Sequence, residues 1–152
     1  MAETLGSLCD KLTIVKLKQC HSDDSLKTES LMVQERQLCE EIDTFLSGAV
    51  SGVIAPDKLT FRANKVYKKQ GNELGVLQAD ALGAVFAELA KVNCDLWHEQ
   101  EKVYEFAAVP VAQKDVVVKQ LALLNLKRNQ CIDAIDQVLV KIVQSKGEQH
   151  VS

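Results

Sequence analysis

From residue 113 to residue 144 the chain contains neither glycine nor proline, and apolar side chains return every three or four positions. Leu121, Asn125, Arg128, Ile132, Ile135, Leu139 and Ile142 follow a seven-residue repeat, which predicts a long helix burying one stripe against neighbouring helices. Asp115 to Lys119 holds three valines, yet the helical period runs through them, so no strand is expected there. Only seven glycines and two prolines punctuate all 152 residues. Turns are therefore few, and the remaining elements are long helices as well.

Leu5, Leu8, Leu12 and Val15, widened by Ile14 and Leu17, predict a helix from about Glu3 to His21. Ser22, Asp23, Asp24 and Ser25 supply break and N-cap chemistry. Leu31, Leu38, Ile42, Phe45 and Leu46 mark the buried face of a second helix from Leu26 to Leu46, which the small residues Gly48 to Gly52 end. Pro56, Gly71 and Gly75 punctuate the middle, where a short helix is expected from Asp57 to Lys68. Phe86, Leu89, Asn93, Leu96, Trp97, Gln100 and Tyr104 then share one face of a helix from Gln78 to Ala107, stopped by Pro110. The last helix is expected from Gln113 to Gln144, with a fraying tail over residues 146–152. Long helices with short connections pack as antiparallel neighbours. The expectation is one all-α domain over residues 1–152, an antiparallel four-helix bundle with a short additional helix in the 57–68 region.

A formal charge of −3 and a pI near 5.6 offer no long-range attraction to phosphate backbones or anionic lipid, so neither nucleic acid nor a membrane surface is an expected partner. The longest apolar stretch, Leu82 to Ala90, is interrupted by Glu88 and too short to span a bilayer. The first residues carry no basic n-region, which points to a cytoplasmic chain. Cys9, Cys20, Cys39, Cys94 and Cys131 are widely spaced, without CxxC, and read as reduced core thiols rather than a disulfide or zinc framework. His21 and His98 lack any HExxH-like spacing. Glu40, Glu41, Asp43, Asp133 and Asp136 would form a magnesium site only from inward faces, and Glu40 and Glu41 read as solvated. No metal or cofactor is expected.

The anomaly lies on the seam of the last helix, where Asn125 and Arg128 occupy two consecutive core-type positions. An arginine there keeps its charge and must find a carboxylate, an anion or water. In a hairpin turning near Pro110, Asn93 and Trp97 fall at about the same level as Arg128 and Asn125, which predicts a polar pocket. Glu101 is the first candidate to pair with Arg128, and Asp10 the second. Polar seam residues also set helix register without any ligand.

The segments Asp10-Lys11-Leu12-Thr13-Ile14 with Lys16 and Lys18, Asn93 with Leu96-Trp97 and Glu101, and Asn125 with Arg128-Asn129 and Ile132 resemble, in this order, a group of short uncharacterised all-helical bacterial proteins often encoded among glycosyltransferase and surface-polysaccharide genes. The resemblance covers the first helix and the last two, and residues 22–91 lie outside it. It implies a setting in cell-surface glycan synthesis and directs attention to Asp10, Lys11, Asn93, Trp97, Glu101, Asn125 and Arg128. The group usually carries an acidic pair where this chain has Gln100-Glu101, so one carboxylate of a two-carboxylate acid/base mechanism is missing.

Two functions follow as expectations. The first is a binding or adaptor protein whose seam sets register or holds a small anionic or sugar-like ligand. Arg128 would hold the anion, Asn93 and Asn125 would supply hydrogen bonds, and Trp97 would offer a wall for a sugar. The second is an enzyme of sugar or nucleotide-sugar metabolism, with Glu101 as acid or base and Arg128 stabilising negative charge. Leu123, Leu124 and Leu126 widen the apolar face of the last helix and point to a further packing partner, such as a second subunit in a homodimer.

Overall fold

A computed structural model describes residues 3–61 and 81–151, and four α-helices with two short 3-10 turns make up almost all of them. Helix α1 (Leu5–Cys20) opens with a capping box. The Thr4 hydroxyl accepts from the Ser7 amide at 3.3 Å, and the Ser7 hydroxyl accepts from the Thr4 amide at 2.9 Å. Helix α2 (Ser25–Ser51) starts at Asp24, whose Oδ1 accepts from the Leu26 amide at 2.9 Å.

Helix α2 runs past the expected end at Leu46. Gly48 stays helical with Ile54 packed against its bare Cα, and the helix ends only at Gly52, whose φ of +84° suits glycine. A single 3-10 turn, Pro56–Lys58, begins the stretch where a short helix is expected. Residues 62–68 of that expected helix lie outside the described residues.

Helix α3 (Leu82–Tyr104) stops three residues before the expected Ala107, and a 3-10 turn at Phe106–Ala108 leads to Pro110. The Pro110 carbonyl accepts from the Gln113 amide at 2.8 Å, so proline opens α4 rather than only ending α3. Helix α4 (Val111–Val151) continues beyond the expected end at Gln144. Gly147 is the one weak helix former on that stretch, and a lone glycine costs only about 1 kcal/mol.

The contacts give the helix directions. Along α1, Gly6 meets Asp136 and Asp10 meets Arg128, so α1 and α4 are antiparallel. Asp10 and Thr13 meet Asn93, and His21 meets Trp97, so α1 and α3 are parallel. Each helix thus runs against its sequence neighbour. Helix α1 lies on the α3–α4 hairpin, and α2 packs mainly along α1. Leu5 and Cys9 of α1, Leu89, Val92 and Leu96 of α3, and Leu124, Cys131, Ile135 and Leu139 of α4 form the core, closed at one end by Ala49 and Leu59. Each fully buried leucine or valine contributes about 1.5–3 kcal/mol through the water-accessible area it loses.

The seam of α4 differs from the expected one at two of its seven positions. Leu121, Arg128, Ile135 and Leu139 face inward as expected and Ile132 packs at the edge of the core, but Asn125 and Ile142 are exposed, and Val117, Leu124, Cys131 and Val138 are buried beside the expected stripe. Apolar residues stand side by side in this helix, and Leu124 takes the inner position because the hydrophobic gain is larger for it than for its neighbour Asn125. Leu123 and Leu126 are half-buried, so much of the extra apolar width is absorbed within the chain. No helix among the described residues is long and apolar enough to cross a membrane.

Candidate functional site

The polar residues on the inner faces meet in two clusters along α1. In the first, Asp10 is 4% exposed and accepts three hydrogen bonds. Arg128 of α4 donates Nε to Asp10 Oδ1 at 2.8 Å and an Nη to Oδ2 at 2.5 Å, a bidentate fork. Asn93 of α3 donates Nδ2 to Oδ1 at 3.0 Å and to the Thr13 hydroxyl at 2.8 Å, and Thr13 donates in turn to the Asp10 carbonyl at 2.7 Å. One carboxylate therefore ties α1 to both helices of the hairpin. The hydrogen bond that Arg128 donates to Asp10 raises its already high proton affinity, against the opposing effect of burial. Arg128 keeps its charge throughout.

Asn93 is wholly buried, and its Oδ1 has no hydrogen-bond partner. Turning the amide over would set that oxygen against Asp10 Oδ1, so the donor side must face the carboxylate. An orphan acceptor of this kind costs about 1–3 kcal/mol. The Asp10 fork offsets it.

The second cluster lies further along α1. His21 stacks on Trp97, with ring centroids 4.8 Å apart and planes inclined by 25°. His21 Nδ1 lies 2.8 Å from the Leu17 carbonyl, which can only accept, so the proton of a neutral ring sits on Nδ1. Trp97 donates its indole N–H to Glu101 Oε1 at 3.0 Å, and His98 Nδ1 stands 3.6 Å from Glu101 Oε2. The His98 ring meets His21 edge-on at 6.2 Å.

The expected single pocket is thus divided. Asp10, Asn93 and Arg128 come together. Trp97 and Glu101 form the separate, more exposed cluster, and the carboxylate on Arg128 is Asp10 rather than Glu101. One turn apart on one helix, Glu101 reaches the Trp97 indole instead. Asn125 points to solvent, a correction that follows from the shifted seam. Lys11 is exposed and paired with Glu3. The face of Trp97 foreseen as a sugar wall carries His21.

Two clefts open beside these clusters. One, about 410 Å³, is lined by Asp10, Lys11, Lys18, Gln34, Gln37 and Arg128 among others. The next, about 610 Å³, is lined by Lys18, His21, Asp24, Lys27, Leu31 and Trp97 among others. Lys18 belongs to both and has no hydrogen-bond or ion-pair partner among the described residues. Arg128 is partly open to the first, its side chain 33% exposed. Lys18, His21 and Thr13 line or brace these clefts without being among the expected site residues, although Lys18 lies seven residues after Lys11 on the same face of α1.

A third buried polar group sits at the N-terminal end of α1. Asp136 Oδ1 accepts from the Gly6 amide at 2.7 Å, with Thr4 as a second donor. Burial outweighs these bonds and pushes the Asp136 carboxyl up to about 7. Cys9 nearby is pushed up to about 12, by burial first and then by Asp136 and Asp10, and burial lifts Cys131 to about 11. Neither thiol is a nucleophile at neutral pH. Cys20 and Cys39 are exposed and Cys94 is half-buried, so only two of the five free cysteines are core thiols. Among the described residues no three histidine, cysteine or carboxylate side chains gather in a metal-binding cluster. The chain matches no protein family, no curated protein and no solved structure.

Proposed function

We infer that the chain is a binding or adaptor protein that holds a small anionic, sugar-like molecule in the two adjoining clefts along α1. The observation that carries this is Lys18, an ammonium without a partner among the described residues, on the shared wall of both clefts. On one side it has the open edge of Arg128, and on the other the Trp97–His21 stack. An anionic group between Lys18 and Arg128 would meet two cations, and a ring beside Trp97 and His21 would meet an aromatic edge. A sugar phosphate or a nucleotide sugar has both parts. The resemblance in the three sequence segments supports a setting in cell-surface glycan synthesis, where such molecules are the working currency.

A second reading rests on the fork itself. Asp10 takes two of the donor groups of Arg128 and draws in Asn93, which suffices to fix the register of three helices with no ligand at all.

Thermal stability of the purified protein against inorganic phosphate, sugar phosphates, nucleotides and nucleotide sugars separates the two, with Lys18→Gln alongside. Lys18 is exposed and has no partner among the described residues, so the variant keeps the fold. A ligand at a hundred times its Kd stabilises by about 2.7 kcal/mol, roughly 5–10 °C for a chain of this length. The binding reading expects such a shift in the parent and its loss in Lys18→Gln. No shift with any compound leaves the structural role alone.

A further inference from the structure

The α3–α4 hairpin runs on beyond the end of α1. Of the residues from His98 to Leu123, only Val117 is buried. Tyr104 at the end of α3 is 87% exposed, and on α4 Val111 is 83% and Val118 56% exposed. Several large apolar side chains left bare at one end of a molecule mark an interaction surface, where a single one would not. Val111 and Val118 stand seven residues apart and so lie one above the other on one face of α4, with Asp115 between them and Lys114 at its flank.

Neither charge on this face has an ion-pair partner among the described residues. Asp115 is exposed and has no partner among the described residues. The Lys114 ammonium lies 4.9 Å from the centroid of the Phe106 ring, a contact with an aromatic face rather than with a carboxylate among the described residues. From Val111 to Val118 the order is valine, two residues, lysine, aspartate, two residues, valine. Reversed, it is the same pattern with the two charges exchanged.

We propose that this face of α4 is a dimer interface, on which a second copy of the chain packs antiparallel about a two-fold axis between residues 114 and 115. Val111 then lies against the partner subunit's Val118, and Lys114 against the partner subunit's Asp115, each contact occurring twice. A closed two-fold interface must be self-complementary in just this way, and an antiparallel helix pair is the arrangement that makes it so here. In a parallel pairing Lys114 would meet lysine and Asp115 aspartate. The hairpin, short of apolar cover at this end, becomes half of a four-helix layer.

Sedimentation equilibrium over a concentration series tests the assignment. The parent should reach a mass of twice 16.8 kDa. Lys114→Asp alone and Asp115→Lys alone each set like charges opposite one another at two places and should weaken the dimer about tenfold or more. The double variant Lys114→Asp/Asp115→Lys exchanges the charges, restores every opposition and should recover the dimer. Val118→Glu should give a monomer. All these positions lie off the core, and unchanged helical circular dichroism with a cooperative melting transition establishes that each monomer is folded. A parent that stays monomeric at every concentration overturns the proposal. So does a dimer indifferent to Val118→Glu, or single charge variants that the double fails to rescue.

Discussion

Asp10 and Arg128 are separated by 118 residues of chain and joined by two parallel hydrogen bonds, at 2.8 and 2.5 Å. The carboxylate is buried and the guanidinium reaches partly into a cleft, so the two partners are not equivalent. Removing Arg128 strands a buried negative charge, whereas removing both charges strands little. Arg128→Met should therefore lower stability by about 3 kcal/mol, and Asp10→Asn/Arg128→Met should return most of it. Urea unfolding of the single and double variants measures both. Equal loss in the two would mean that the fork adds nothing beyond packing.

Asn93 meets Asp10 with its amide N–H. Asn93→Asp keeps the shape but sets a second buried carboxylate against the first, about 3.0 Å away. At neutral pH this variant should lose about 3 kcal/mol or more, with part recovered on acidification as one of the pair takes up a proton. Melting temperature against pH for the variant minus the parent gives the answer, and a flat difference would contradict the arrangement.

Asp136 makes the stability of the fold depend on pH. Its carboxyl is near 7 in the folded chain and 3.8 in its ordinary state. Between these values the folded form holds the proton and the unfolded form releases it. The stability linked to this group is therefore fully present below about pH 4 and is lost as pH rises through 7. The slope approaches about 1.4 kcal/mol per pH unit. Asp136→Asn keeps an acceptor for the Gly6 amide and removes the proton. Subtracting its stability curve from that of the parent should leave this falling slope, and no slope would place the carboxyl in its ordinary range.

Gly6 brings α1 directly onto α4. A Cβ there would fall inside contact distance of the Ile132 carbonyl oxygen and 2.9 Å from Asp136 Oδ1. The backbone carbonyl cannot yield without moving α4. Gly6→Ala should cost about 1–3 kcal/mol although alanine is the better helix former, and thermal unfolding checks the sign.

The four helices were legible in the sequence because each buries a stripe at the helical period and few residues interrupt it. The matching levels of Asn93 and Arg128 were legible from rise per residue along a hairpin. Which carboxylate takes Arg128 was not, because levels along the axes do not say which helix lies on the hairpin. Helix α1 does, and it brings Asp10. The place of Asn125 was lost to its neighbour, since Leu124 and Asn125 fit the repeat almost equally and only packing chooses. Asp136 resembled a surface or metal carboxylate. Its partners are the free amide of Gly6 and the Thr4 hydroxyl at the start of α1, a relationship that exists only once α1 and α4 are packed.

A direct calorimetric titration of a sugar phosphate or nucleotide sugar, into the parent and into Lys18→Gln, tests the central claim. The account predicts saturable one-to-one binding by the parent, weakened by salt and about tenfold or more weaker in Lys18→Gln, in keeping with loss of one charge-assisted contact. Equal affinity in the two proteins, or no binding by the parent, would contradict a ligand held between Lys18 and Arg128.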